Sequence, residues 1–474
     1  MTRHLMPGFR PASLSILCCA LLGLPAQAVP TPEYELEPVL GASSLVRPAL
    51  LSGPGFQVDP HVEIRGYMAR FTIDTSLGPI QADSVEILGE RIAELPALEA
   101  LDAVSRSQAF VDAADASVTK TAHGLGQILR HPVQTLTGIP LGVARYFGQR
   151  LKRLGNQAQA LSDRGAREFG SSGNPHPRGD GPMTLAREID RAEALGNGSE
   201  GNSGWYADVG DEAAREVKRQ LRFGQVRREL AERLGIDPYT SNPYLRERLD
   251  KLAWAGAGGH FAASAALGTI GGAGGLALSW SKQLNDVVWK LDPVQLREHN
   301  ARRLRRYSHD NLLMRQFLRR GVFTPTLQTQ LIDALDHLQP KVGGDALLEL
   351  AMTAQSELEA RYIVNALQLV GERLGTRASG GTLLTVGAAL AYDSVDGERV
   401  LPLPIDYLAW TGEVARFLDG EEFRGTQKTV LVSGTATPRS QEELTARGWN
   451  IVVDARGRHA EGLVSYDEPA LDRL

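Results

Sequence analysis

Residues 433–437 read Ser-Gly-Thr-Ala-Thr, after an apolar strand signature at 429–432 and before a helix start. A loop of this kind turns backbone N–H groups and hydroxyls toward one point. Ser433, Gly434, Thr435 and Thr437 therefore form a candidate site for a phosphate or carboxylate. The same residues also suit a plain strand-to-helix turn with its cap. Gly272-x-Gly274-x-x-Ala277 has the spacing of a dinucleotide fingerprint, but no strand precedes it and a glycine run matches it by chance. The lysine-bearing phosphate loop, the G-x-S-x-G elbow and the H-E-x-x-H zinc helix do not occur. The histidines are scattered. His299 follows Glu298, His309 precedes Asp310, and His337 follows Asp333 and Asp336, neighbours that read as surface charge rather than metal ligands. No cofactor and no metal is expected, and the chain leans away from an enzyme.

A second class of candidate is a contact surface. Residues 252–281 contain eight glycines, nine alanines and no Asp, Glu, Lys or Arg. Trp254 and Trp280 stand near the ends, with Phe261, Leu267 and Ile270 between them. Tryptophans at both ends and lysines outside them suit an interfacial membrane segment. A buried helical hairpin turning at 271–275 is the competing reading, because glycine and alanine drive insertion weakly. A helix expected over 141–162 shows Arg145, Arg150, Lys152 and Arg153 on one side, either a solvated face or a contact for an anionic membrane.

The elements that would position these residues follow from local signals. Arg3 and Arg10, the apolar stretch 14–24 and Ala26-Gln27-Ala28 make a secretory signal, cleaved after Ala28. Cys18 and Cys19 are the only cysteines and would leave with it, so no disulfide or thiol chemistry is expected in the mature chain. That chain has 474 − 28 = 446 residues and, without the two arginines, a net charge of −5 − 2 = −7. An acidic balance argues against nucleic acid as a partner. The expected location is the periplasm, with peripheral membrane association as a further option.

After the signal (1–28), residues 29–60 form a proline-rich extended leader. Residues 61–163 hold a β-hairpin, with Tyr67, Ala69, Phe71 and Ile73 on one face, followed by long helices capped by Asp83 or Ser84 and broken or restarted at Pro96. Residues 164–204 are a Gly/Ser linker. Residues 205–374 are helical, with a helix over 211–234, an Asn242 cap with Pro243 behind it, and Gly375 as the final stop. Residues 375–474 form a small α/β unit whose helix start is marked by Thr437-Pro438 and by Ser440-x-x-Glu443. The expected class is mainly α with a small N-terminal β-hairpin and a C-terminal α/β unit, α+β overall.

Three stretches carry a resemblance: Gly66 through Ile73, Ile236 through Pro243, and Thr437 through Trp449. With them the chain resembles a group of uncharacterised exported proteins of Gram-negative bacteria. The motifs are turns and caps, so the resemblance implies a shared fold and supplies no catalytic residue. The leading expectation is a non-catalytic periplasmic protein that docks on an envelope protein or an anionic membrane surface. A hydrolase or small-ligand binder using the C-terminal unit is the alternative, and a secreted membrane-active toxin the weaker one.

Overall fold

Met68–Thr75 (β5) alternates, and its inward residues Ala69, Phe71 and Ile73 are fully buried. That face becomes the floor of an N-terminal sheet far larger than a hairpin. The structure is a computed structural model that describes residues 33–106, 211–257, 286–386, 389–424 and 427–455. In it, β5 pairs with β4 (His61–Arg65), β3 (Phe56–Val58) and β6 (Gly78–Ala82). β1 (Val39–Gly41) extends the sheet beyond β4, and β2 (Ser52–Gly53) extends it beyond β3. All these pairs are antiparallel, and the sheet has six strands.

The C-terminal sheet has five strands in the order β13-β11-β9-β8-β7. β7 (Thr382–Val386), β8 (Ala389–Asp393) and β9 (Glu398–Leu403) are antiparallel. β9, β11 (Gln427–Val432) and β13 (Trp449–Val452) run parallel. Two short strands, β10 (Tyr407–Leu408) and β12 (Thr435–Ala436), form a separate parallel pair. The expectation of a mainly α chain with a small N-terminal hairpin and a C-terminal α/β unit is therefore corrected: the chain is a mixed α+β fold with multi-stranded sheets in both its N- and C-terminal regions. Strands of two or three residues, such as β1 to β3, carry no readable period. β1 exists because β4 offers it an edge, β3 because β5 does, and β2 because β3 does, which is a tertiary circumstance.

The described helices are α1 (Val85–Ser105), α2 (Asp211–Leu234), α3 (Pro243–Ala257), α4 (Val287–Lys290), α5 (Pro293–Leu304), α6 (Asn311–Leu318), α7 (Pro325–Leu338), α8 (Gly344–Met352), α9 (Glu357–Leu374), α10 (Gly412–Leu418) and α11 (Pro438–Ala446). Several begin where local chemistry dictates. Ser84 Oγ accepts from the Ile87 N–H at 3.0 Å, and Asn242 Oδ1 accepts from the Tyr244 N–H at 3.1 Å. Gly375 ends α9 with a φ of +55°, a region costly for other residues.

Two local readings need correction. α1 passes straight through Pro96, which offers the Ile92 carbonyl no N–H and by itself costs about 3 kcal/mol. Leu88, Ile92 and Leu95 before it and Leu98 and Leu101 after it are all buried, so packing on both sides overrides the break. At α11 the cap is Thr437, whose Oγ1 accepts from the Ser440 N–H at 2.9 Å. Ser440 is no capping-box residue. Its hydroxyl is buried and donates to the Leu408 carbonyl at 3.0 Å. One apolar cluster runs from Ala42 to Trp449 and joins both sheets through α1, α7 and α9.

Candidate functional site

The loop after β11 reaches the carboxyl end of the parallel strands, where open α/β sheets take ligands. Its donors are engaged within the chain. The N–H groups of Ser433, Gly434, Thr435 and Thr437 donate to the carbonyls of Leu403, Ile405, Asp406 and Leu408 at 3.1, 2.9, 3.0 and 3.0 Å. The Ser433 hydroxyl donates to the Ile405 carbonyl at 2.8 Å. Gly434 lies so close to Asp406 that a Cβ there would sit 2.0 Å from its carbonyl oxygen. The loop is thus laminated against residues 403–408 through its backbone, while the Thr435 side chain is half-buried and the Thr437 side chain buried.

The Thr437 hydroxyl meets a carboxylate of the chain itself. Glu35 Oε2 accepts from Thr437 Oγ1 at 2.7 Å and from the Trp410 N–H at 2.6 Å. The Glu35 N–H donates to the Trp410 carbonyl at 2.8 Å. Two residues on, Glu37 accepts from the N–H groups of Gly66 and Tyr67 at 3.0 and 2.6 Å. The Tyr67 carbonyl in turn accepts from the Asp406 and Tyr407 N–H groups at 3.1 and 3.2 Å. Tyr67 holds a φ of +67°, rare for a bulky residue, and its hydroxyl lies 2.6 Å from Thr411 Oγ1. Burial is the main force raising the Tyr67 phenol well above its ordinary pKa, so it stays protonated. Asp406, 3% exposed, closes the junction: its Oδ2 accepts from the Ala69 and Val85 N–H groups at 3.0 and 3.1 Å.

The membrane-contact candidates fall mostly outside the described residues: Phe261, Leu267, Ile270, Trp280, Arg145, Arg150, Lys152 and Arg153. Trp254 is described, and it is half-buried and stacked on Phe223 of α2 with ring centroids 4.5 Å apart. Among the described residues, no helix is long and apolar enough to cross a membrane. Asp333 and Asp336 serve Arg303 at 2.5 and 2.7 Å, and the His337 ring packs against Gly371 of α9. No three His, Cys, Asp or Glu side chains among the described residues could hold a metal ion.

Local reading missed a charge cluster where α1, the turn before α3 and α9 meet. Glu94, 4% exposed, accepts from Arg91 at 2.8 Å, Thr240 at 2.5 Å and Asn242 at 2.8 Å. Arg91 also donates to the Ser241 hydroxyl at 2.5 Å. Arg361 on α9 pairs with Glu90 at 2.8 Å, Glu357 at 2.7 Å and Glu86 at 3.4 Å. Asn365 donates to Glu86 as well. Burial raises the Glu90 carboxyl to about 7 against the opposing pull of Arg361 and Arg91. Burial likewise raises Asp237 to about 6, although the Thr326 hydroxyl and the Tyr239 N–H both donate to it. Glu357 goes the other way: Arg361 and Arg91, with hydrogen bonds from Arg361 and Ser241, outweigh its burial. The available signal was the four-residue spacing of Glu86, Glu90 and Glu94, one stripe of a helix. The cluster latches three segments together, and burial holds the Glu90 carboxyl above the usual carboxylate range.

No family model, curated protein or solved structure matches this chain.

One further surface stands out. The side chains of the exposed Arg302 on α5 and of its C-cap Arg305 have no hydrogen-bond or ion-pair partner among the described residues, and neither does that of the exposed Arg315 on α6. Arg306, 69% exposed, stands 3.7 Å from Asp336. Leu312, 48% exposed, precedes Arg315 by three positions and so shares its helix face. The neighbouring Asp310 is occupied in capping α6, accepting from the Leu312 and Leu313 N–H groups at 2.9 and 3.0 Å.

Proposed function

We propose that the chain is an exported periplasmic protein that acts by docking rather than by catalysis, and that the corner between α5 and α6 docks on an anionic envelope surface. The observation that carries this reading is the set of exposed guanidiniums Arg302, Arg305 and Arg315, without side-chain partners among the described residues, in a chain with a net charge of −5. Exposed cations left unneutralised on an acidic chain are free to meet an anionic surface. Leu312 beside Arg315 adds an apolar contact at headgroup depth. The Ser433, Gly434, Thr435 and Thr437 N–H groups are engaged within the chain and so give no support to a small-anion site there.

The test is co-sedimentation of the mature chain with phosphatidylglycerol vesicles and with phosphatidylcholine vesicles. Binding is expected to the anionic vesicles and to fall with salt, since the screening length is about 10 Å at 0.1 M. Each arginine near such a surface contributes about 1 kcal/mol. Replacing all three with glutamine should therefore weaken binding roughly 100-fold. Equal retention by both vesicle types, or an unchanged triple variant, refutes the proposal.

A further inference from the structure

We infer that the notch formed by Trp410, Thr437 and Arg439 is a receptor for an extended peptide bearing a glutamate, and that the chain's own leader is its resident occupant. This site is separate from the arginine ridge and stands whether or not that ridge binds lipid.

The contacts that hold residues 33–36 are those a peptide receptor uses. One is main-chain pairing of the strand-addition kind: the Glu35 N–H donates to the Trp410 carbonyl at 2.8 Å. The second is carboxylate capture, with Glu35 Oε2 accepting from the Trp410 N–H and the Thr437 hydroxyl at 2.6 and 2.7 Å. Arg439 also donates to the Glu33 carbonyl, a contact blind to side-chain identity. The notch thus reads an extended backbone and one acidic side chain, at the carboxyl end of β9 and β11.

Among the described residues, this segment buries little apolar surface. Residues 34–36 alternate, with Glu35 turned inward, Tyr34 40% exposed over Gly412, and Leu36 90% exposed. A segment that buries so little apolar surface depends on its hydrogen bonds, and the charge-assisted ones are the strong ones. The leader stays in place because a tethered ligand acts at an effective concentration on the order of millimolar. A partner's acidic strand would displace it and make the same bonds, while β1 and Glu37, which have their own partners in the N-terminal sheet, keep the rest of the leader in place.

The experiment uses the full mature chain and a fluorescent hexapeptide with the sequence of residues 31–36. The Glu35→Gln chain, its own occupant weakened, should bind this peptide at least tenfold more tightly than wild type by fluorescence anisotropy. The same peptide carrying Glu35→Gln should bind that chain at least tenfold more weakly. Adding Thr437→Val to the Glu35→Gln chain should abolish binding. Glu35→Asp, which keeps the charge but is one methylene short, should fall between wild type and Glu35→Gln, and it carries the comparison if Glu35→Gln does not fold. Equal binding by wild type and the variants, no binding by any of them, or indifference to the peptide's glutamate overturns the proposal.

Discussion

Glu94→Ala tests whether the charge cluster at the α1, α3 and α9 junction is a latch. The substitution removes a carboxylate that accepts from Arg91 at 2.8 Å, Thr240 at 2.5 Å and Asn242 at 2.8 Å. All three donors are buried, with Arg91 5%, Thr240 1% and Asn242 0% exposed, so water does not readily replace the lost oxygen atoms. Stranding a buried charge typically costs about 3–5 kcal/mol. Each buried donor left unpaired adds about 1–3 kcal/mol before relaxation. Asn242 also caps α3, and Arg91 retains Ser241 and its ion pair with Glu90 at 3.4 Å, so part of the network survives. A loss of roughly 4–6 kcal/mol is expected, a large share of a typical net stability of about 5–15 kcal/mol. Urea unfolding of the mature chain followed by circular dichroism measures it. The paired change Arg91→Met with Glu94→Leu removes both charges and should recover at least half of the loss. A single-variant loss under about 1.5 kcal/mol, within the range of an ordinary substitution, refutes the latch. So does a double variant no more stable than the single one.

Asp406→Ala leaves the buried N–H groups of Ala69 and Val85 unpaired and should cost about 2–5 kcal/mol, with faster hydrogen exchange at those two amides than elsewhere in β5. Unchanged protection there would show that Asp406 does not tie the sheets together. Gly434→Ala places a methyl 2.0 Å from the Asp406 carbonyl oxygen, so the chain should accumulate insoluble or melt far below wild type; a normal thermal transition would contradict that packing. Glu90 and Asp237 are raised by burial to about 7 and 6 from ordinary values of 4.5 and 3.8, so the folded chain binds their protons more tightly than the unfolded one. Their contribution is fully present below the unfolded values and is lost as pH rises through about 6 to 7. Between pH 5 and pH 8 the stability of wild type should therefore fall relative to Glu90→Gln by roughly 1–3 kcal/mol in paired urea titrations, and a parallel pH profile for the two proteins would contradict it.

Much of the local structure was readable from residues within a few positions of one another. Ser84 before α1, Asn242-Pro243 at α3, Thr437-Pro438 at α11 and Gly375 after α9 act through bonds spanning three or four residues. Such signals survive in the linear chain because the donor, the acceptor and the backbone angle all belong to one turn. The inward face of β5 was legible for the same reason, since alternation is a property of neighbours. Tertiary structure decided the rest. β1 to β3 are too short to carry a period and exist because β4, β3 and β5 supply the partner edges. Pro96 sits inside a continuous helix because buried side chains on both sides outweigh the missing hydrogen bond. The composition of the loop at 433–437 suits either an anion site or a plain strand-to-helix turn, and which group its Thr437 hydroxyl meets was not local. Glu35 and Thr437 are 402 positions apart, and no spacing rule connects them. A carboxylate in a proline-rich leader has the same sequence signature whether it faces water or fills a receptor, and only the folded chain distinguishes the two.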